Sequence, residues 1–297
     1  MPLTIGILAA EHIAVGAVSP NGLAGPIRAF PEDESGSGLL ADMHADEIVE
    51  RIHEQAMLAA EGAEIEAVGI GFPGIIRGGV IEESPNLHQV KGLDLKSALT
   101  ALFSRRGSAP SVHVLNDADA LAAGIAATRG HLDKLVRVWF LGTGIGYGRY
   151  PQAYGAGEGG HTVVTLDPKE TFCRCGGVGH LEGIMGQRAM RFRFLDLEPE
   201  EVFEHAERGD GRCAAFVELW HRALSAATAT SIHLEGPGKF FISGPNARFI
   251  QVNLIQLHLH EMVKMSPLQG SAIEVVSTSD EIAIVGAGIS AQQAASG

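Results

Sequence analysis

Between Gly157 and Glu182 the chain reads GEGGHTVV…TFCRCGGVGHLE, and no other stretch restricts the fold as much. Cys173 and Cys175 stand one residue apart between His161 and His180, and Glu158 and Glu182 flank the set. Thiolate and imidazole are the donors that tetrahedral Zn²⁺ takes, four at a time. Gly176, Gly177 and Gly179 allow a tight turn from which both cysteines ligate. His180 follows five residues after Cys175, and His161 is expected at the end of a preceding strand. Four protein ligands leave no open position for water, so the expected metal is a structural brace. The alternative is two buried thiols near two unrelated histidines. In a chain with three cysteines, Cys-x-Cys-Gly beside two histidines favours the metal.

A brace needs cores to hold together. The 297 residues allow two domains with cores of their own, and 19% charged with 45% hydrophobic residues is a globular balance. The formal net charge of −13, without a basic run, argues against a nucleic-acid surface. No run reaches eighteen apolar residues and no basic segment precedes Leu3–Ala10, which reads as a first strand rather than a leader or a membrane span. Two of the three cysteines go to the metal and Cys213 falls in a helical pattern as an inert core thiol, so no disulfide framework is expected and a reducing cytoplasm fits.

Taken in order, Leu3–Ala10 and His12–Val18 read as paired strands, and the acidic stretch Pro31–Gly38 as a solvated loop. Asp46–Ala60 carries Ile48, Ile52, Ala56 and Ala59 at helical spacing. Ile65–Phe72 is a buried strand ended by Pro73-Gly74, Val80–Ile81 begin a return, and Asn86 follows a proline as turn residues do. After a helix at Leu95–Phe103, the strand Val112–Leu115 runs into Asn116-Asp117-Ala118-Asp119. Ligands collect at the carboxyl ends of α/β strands, so Asp117 can be a general base there, or the N-cap of the helix Ala118–Thr128. Leu135–Leu141 enters Gly142-Thr143-Gly144-Ile145-Gly146, a turn that offers backbone donors to phosphate. Helices are expected at Leu197–Gly209, Cys213–Ser231, Arg248–Val263 and Ile282–Ala295, and strands at Lys239–Ser243 and Ile273–Val276.

The Cys/His segment resembles the signature of the ROK family of bacterial sugar kinases and sugar-responsive repressors, Gly-Glu-x-Gly-His followed by Cys-x-Cys-Gly-x-x-Gly-Cys-Leu-Glu. Glu158, His161, Cys173, Cys175, Gly176, Gly179, Leu181 and Glu182 match it, and His180 replaces a cysteine, ligand for ligand. The resemblance implies an α/β, two-lobed hexokinase/actin-like (ribonuclease H-like) fold with a zinc-braced insertion. The small lobe would be residues 1–117, with 281–297 packing back on it, and the large lobe 118–280. A sugar would sit in the cleft on Asn86, Asn116, Asp117, Glu158, His161 and Glu182. Asp117 would be the catalytic base, and Gly142, Thr143, Gly144, Gly146 and Gly244 would hold the nucleotide of Mg-ATP. A homodimer is also implied.

One motif departs from the family. ROK kinases carry Asp-x-Gly-Gly-Thr-Lys between the first two strands; here the residues are Leu8-Ala9-Ala10-Glu11-His12-Ile13. Glu11 puts a negative charge where a polyanion would sit, a repulsion of roughly 1 to 4 kcal/mol per charge pair at about 4 Å. The expected function is therefore an ATP-dependent sugar kinase, with a sugar-binding protein lacking kinase activity as the alternative. A zinc-braced scaffold with a degenerate cleft is a third.

Overall fold

The computed structural model describes residues 3–31, 39–107, 109–153, 157–277 and 279–296. Most of the loop expected at Pro31–Gly38 lies outside these residues. In chain order the elements are β1 (Leu3–Ala9), β2 (Ile13–Ser19), β3 (Gly22–Leu23), β4 (Arg28–Phe30), α1 (Ala45–Ala60), β5 (Ile65–Phe72), β6 (Ile75–Arg77), β7 (Val80–Glu83), α2 (Leu95–Arg105), β8 (Ser111–Asn116) and α3 (Asp117–Thr128). Then come β9 (Val136–Leu141), β10 (Ile145–Tyr150), α4 (Leu181–Met185), α5 (Gln187–Arg193), α6 (Pro199–Glu207), α7 (Gly211–Glu235), β11 (Lys239–Ser243), α8 (Val252–Met262), β12 (Ala272–Val275) and α9 (Asp280–Ser296). The mixed α/β fold is the one the resemblance implies.

The chain divides into two compact units: residues 1–136, 148–157 and 279–297 form one, and 137–147 with 158–278 the other. In the first, a sheet runs β3-β2-β1-β5-β8, with β1, β5 and β8 parallel. Parallel strands share one carboxyl end. Ala10–His12, Pro73-Gly74 and Asp117 therefore all emerge at the same edge of the sheet, where α/β proteins place their ligands. On one face Ile5, Ile7, Val68 and Ile70 pack with Ile48, Ile52 and Ala56 of α1 and with Leu99 and Phe103 of α2. On the other face α9 lies so close that a Cβ on Gly69 would stand 1.8 Å from the carbonyl oxygen of Ala287.

This contact moves the boundary expected at residue 117. A Cβ on Gly286 of α9 would come within 1.8 Å of the Ala120 carbonyl oxygen of α3. Small residues let these two helices approach to backbone distance, so α3 stays with the first unit rather than opening the second.

In the second unit the sheet order is β10-β9-β11-β12, with β11 and β12 parallel. Trp139 of β9 and Trp220 of α7 anchor the core, and their indole N–H groups donate to Thr228 Oγ1 and the Met185 carbonyl. Burying two indoles with both donors satisfied makes this core a stable platform. β10 was not anticipated, because its alternating Gly146-Tyr147-Gly148 reads as turn. The helix expected from Arg248 begins at Val252, after a 3-10 turn at Pro245–Phe249. Among the described residues, no helix is long and apolar enough to cross a membrane.

Candidate active site and metal centre

The candidate metal centre, a Cys/His cluster that could hold an ion, is built from a turn and a short bridge. Gly176 N–H closes on the Cys173 carbonyl, and Gly177 N–H donates to Cys175 Sγ. Gly176 has φ +81°, which a glycine adopts without strain. An isolated antiparallel bridge pairs Val163 with His180, and this brings His161 and His180 to the same side. His161 does not end a strand, as expected, but closes a 3-10 turn at Gly159–His161.

His161 Nδ1 lies 3.3 Å from His180 Nδ1, 3.6 Å from Cys173 Sγ and 3.5 Å from Cys175 Sγ. Cys175 Sγ is 3.2 Å from His180 Nδ1 and 3.4 Å from Cys173 Sγ. Around a tetrahedral Zn²⁺ with ordinary bond lengths, ligand atoms stand about 3.3 Å apart for N···N, about 3.5 Å for N···S and about 3.8 Å for S···S. The N···N and the three N···S distances are close to these values, the S···S distance is shorter, and all four donors lie within 4.8 Å of one another. Burial, followed by the adjoining Cys175 and Glu182, pushes the Cys173 thiol up to about 12, so this cluster is costly to ionise without a cation.

Both carboxylates of the signature are tied to this centre. His161 turns its other nitrogen, Nε2, toward Glu158 Oε2 at 3.7 Å, beyond hydrogen-bond distance but on the side away from the cysteines. Glu182 Oε2 accepts the Ile145 N–H at 3.1 Å, and its Oε1 lies 3.6 Å from Cys173 Sγ. Glu182, expected as a sugar contact, thus also clamps the Gly142–Gly146 turn onto the metal centre. A Cβ on Gly144 would stand 2.5 Å from Glu182 Oε2, so a side chain there would push the carboxylate off the Ile145 N–H.

Two amides of that turn are spoken for, Ile145 by Glu182 and Gly142 by the Gly144 carbonyl at 3.0 Å. Gly244 has a packing reason to be glycine: φ is +99° and a Cβ would lie 2.5 Å from the Leu141 carbonyl oxygen. Its place beside β9 is therefore explained without a nucleotide.

In the first unit, Asn116 rather than Asp117 caps α3. Its Oδ1 accepts from Ala118 N–H at 2.8 Å and Asp119 N–H at 3.4 Å, while its Nδ2 donates to the Gly74 carbonyl at 2.9 Å. The cap leaves Asp117 as the first helical residue, with a carboxylate that accepts the Ala118 N–H at 2.9 Å and faces its own N–H. Burial raises the Asp117 carboxyl well above the usual carboxylate range, the direction a general base needs. Asn86 is exposed in a bend two residues after the fully buried Ser84.

Asp119 accepts the Arg149 N–H at 2.8 Å, and burial raises its carboxyl to about 6. Because the folded pKa exceeds the unfolded one, stability is fullest below about pH 4 and is lost as pH rises to 6. Asp119→Asn, which keeps the acceptor, is expected to stabilise the neutral-pH protein by about 1 to 3 kcal/mol. The gain should vanish in acid; denaturant melts at two pH values would show it, and a pH-independent difference would contradict this origin.

The turn between β1 and β2 carries a pair that sequence reasoning missed: His12 Nε2 lies 2.8 Å from Asp280 Oδ2, at the start of α9. No local signal joins two residues 268 positions apart.

The ROK family model matches residues 41–294. A glucokinase of Pyrobaculum calidifontis is 29% identical over 276 residues, covering 88% of this chain and 89% of that one. A glucokinase of Thermotoga maritima is 30% identical over 241 residues, covering 70% and 73%. Among solved structures, a ROK hexokinase from Thermus thermophilus superposes with TM-score 0.77 at 23% identity, over 99% of both chains.

Proposed function

This chain belongs to the ROK family, and we propose that it is a sugar kinase that phosphorylates a hexose hydroxyl. The observation that carries this reading is Asp117: a carboxylate at the carboxyl end of β8, held out of the capping role by Asn116 and raised in pKa by burial. Asp117 would take the proton of the sugar hydroxyl as its oxygen bonds to the γ-phosphorus, with ADP leaving. Asn86, Glu158, His161 and Glu182 would hold the other hydroxyls, since amides and carboxylates pair with adjacent O–H groups. Asn116 serves mainly to fix the Gly74 turn and α3, and any sugar contact would use its remaining amide hydrogen.

The four Cys and His donors would hold Zn²⁺, whose chemistry here is structural: it fixes the turn that carries His180, Glu182 and, through Glu182, the phosphate-binding glycines. The phosphates would lie on amides of the turn at residues 142–146 other than those of Gly142 and Ile145, which are already bonded.

A second reading rests on the β1–β2 turn. Leu8 replaces the family's aspartate, and the His12–Asp280 pair stands in the loop that would meet the phosphates. Under this reading the protein binds sugar and transfers nothing. The two separate in one experiment, an ADP-release assay run beside calorimetry with hexoses and with Mg-ATP. Sugar binding with ADP release supports the kinase. Sugar binding with no nucleotide binding supports the second reading, and no sugar binding at all removes both.

Glu158→Ala is expected to weaken hexose binding by about 2 kcal/mol, roughly 30-fold, through loss of a charge-assisted hydrogen bond. Unchanged affinity would take Glu158 out of the sugar site.

A further inference from the structure

A cavity of about 200 Å³ lies wholly within the first unit, and none of the sugar residues named above lines it. Four elements supply its lining: His113 of β8, Asp119 of α3, Arg149 of β10 with Gln152 just beyond it, and Ser290 and Gln293 of α9. The polar groups are organised. Gln152 lies close enough to the Asp119 carboxyl and to His113 to influence both groups. Gln293 Nε2 donates to the Tyr150 hydroxyl at 2.9 Å, and Arg149 N–H donates to Asp119. Asp119 is also the position where the chain leaves the family's Asn-Asp-Ala-Asn pattern, so this arrangement belongs to this chain.

The chemistry of the lining selects a ligand. One carboxyl and one guanidinium offset each other, and His113, held below its ordinary range first by burial and then by Lys96, is neutral near pH 7. A lining that mixes acceptors and donors without net charge suits hydroxyl groups, each of which both donates and accepts. The volume is below the roughly 300 to 1,000 Å³ of drug-sized ligand pockets, which favours a small ligand.

We propose that this cavity is a second ligand site, for a neutral polyol no larger than a monosaccharide, whose occupant bears through Asp119 on the first turn of α3. That turn also carries Asp117, so the occupant acts as an effector of the base without touching the substrate. Binding at this site stands apart from the kinase reading, since none of its lining residues is a proposed sugar or phosphate contact; its effect on the base rests on that reading.

The test is a titration of the full chain with D-glucose, myo-inositol and glycerol, followed by calorimetry and by the side-chain amide NMR signals of Gln152 and Gln293. At least one of the three is expected to shift both signals, and to do so equally in Glu158→Ala, which disables the proposed sugar site. Ala294→Trp, on the exposed last turn of α9 at the cavity edge, should weaken this event at least tenfold while leaving the melting temperature unchanged. If Ala294→Trp proves unstable, Gln152→Ala must give the same selective loss. Shifts that disappear with Glu158→Ala, persist in both cavity variants, or are absent with all three polyols overturn the proposal. The Glu158→Ala arm reads the sugar site by itself, so failure of one site is distinguishable from failure of the other.

Discussion

Cys175→Ser is expected to purify without the zinc that the wild-type chain retains, and to melt about 10 °C lower or more. Five of the six separations among the four donors are 3.2 to 3.6 Å, and all four lie within 4.8 Å of one another. Structural zinc contributes folding free energy directly, on the order of 10 kcal/mol in small metal-dependent peptides. A unit with its own tryptophan core depends on the metal less than such a peptide does, so a loss of about 3 to 5 kcal/mol is the scale to expect. For a domain of this size each kcal/mol moves the midpoint by about 2 to 4 °C or more. The loss should also reach the ligand sites, because Glu182 follows the knuckle and holds the Ile145 amide. Hexose affinity should therefore fall with the melting temperature. Elemental analysis gives the metal content, near one zinc per wild-type chain. Wild-type protein that holds no metal, or whose melting temperature is unchanged when its metal is removed, would overturn the assignment.

Asp117→Asn is expected to keep hexose binding and to cut turnover by about 10² or more, the usual contribution of a general base. Asn retains the acceptor that meets the Ala118 N–H, so α3 should keep its first turn. Wild-type turnover should rise with pH through the raised pKa of Asp117, because only the ionised carboxylate accepts the proton; in the variant this limb should disappear. Equal silence of both proteins with every nucleotide donor would support the second reading. In that case Leu8→Asp with Ala10→Gly, Glu11→Gly and His12→Thr rebuilds most of the family's phosphate loop and removes the His12–Asp280 pair. Turnover gained in this variant from an inactive parent would locate the defect in the β1–β2 turn. High activity in the unmodified chain would show that the amides of residues 142–146 suffice.

The metal centre was legible in the sequence because its information is local. Cys-x-Cys and the glycines after it fix a turn within seven residues, and the only non-local partner, His161, lies 12 residues from Cys173. The strand ends were legible for a similar reason: an apolar run that stops at Pro73-Gly74 or Asn116-Asp117 marks its own carboxyl end. Locally ambiguous positions were not. Asn116 and Asp117 are both good caps by type, and the choice rests on Gly74, 42 residues away, which holds the Asn116 amide. Glu182 has a second partner because β10 brings Ile145 to it, and β10 itself was hidden by glycines that read as turn. The boundary at residue 117 followed chain order, whereas small residues of α3 and α9 pack to backbone contact across more than 150 positions. Sequence alone determined which residues can bind a metal, end a strand or pass a close helix. Tertiary structure decided which of them meet, because a contact energy between distant segments depends on the register and distance at which the sheets and helices place them, and no spacing along the chain encodes that.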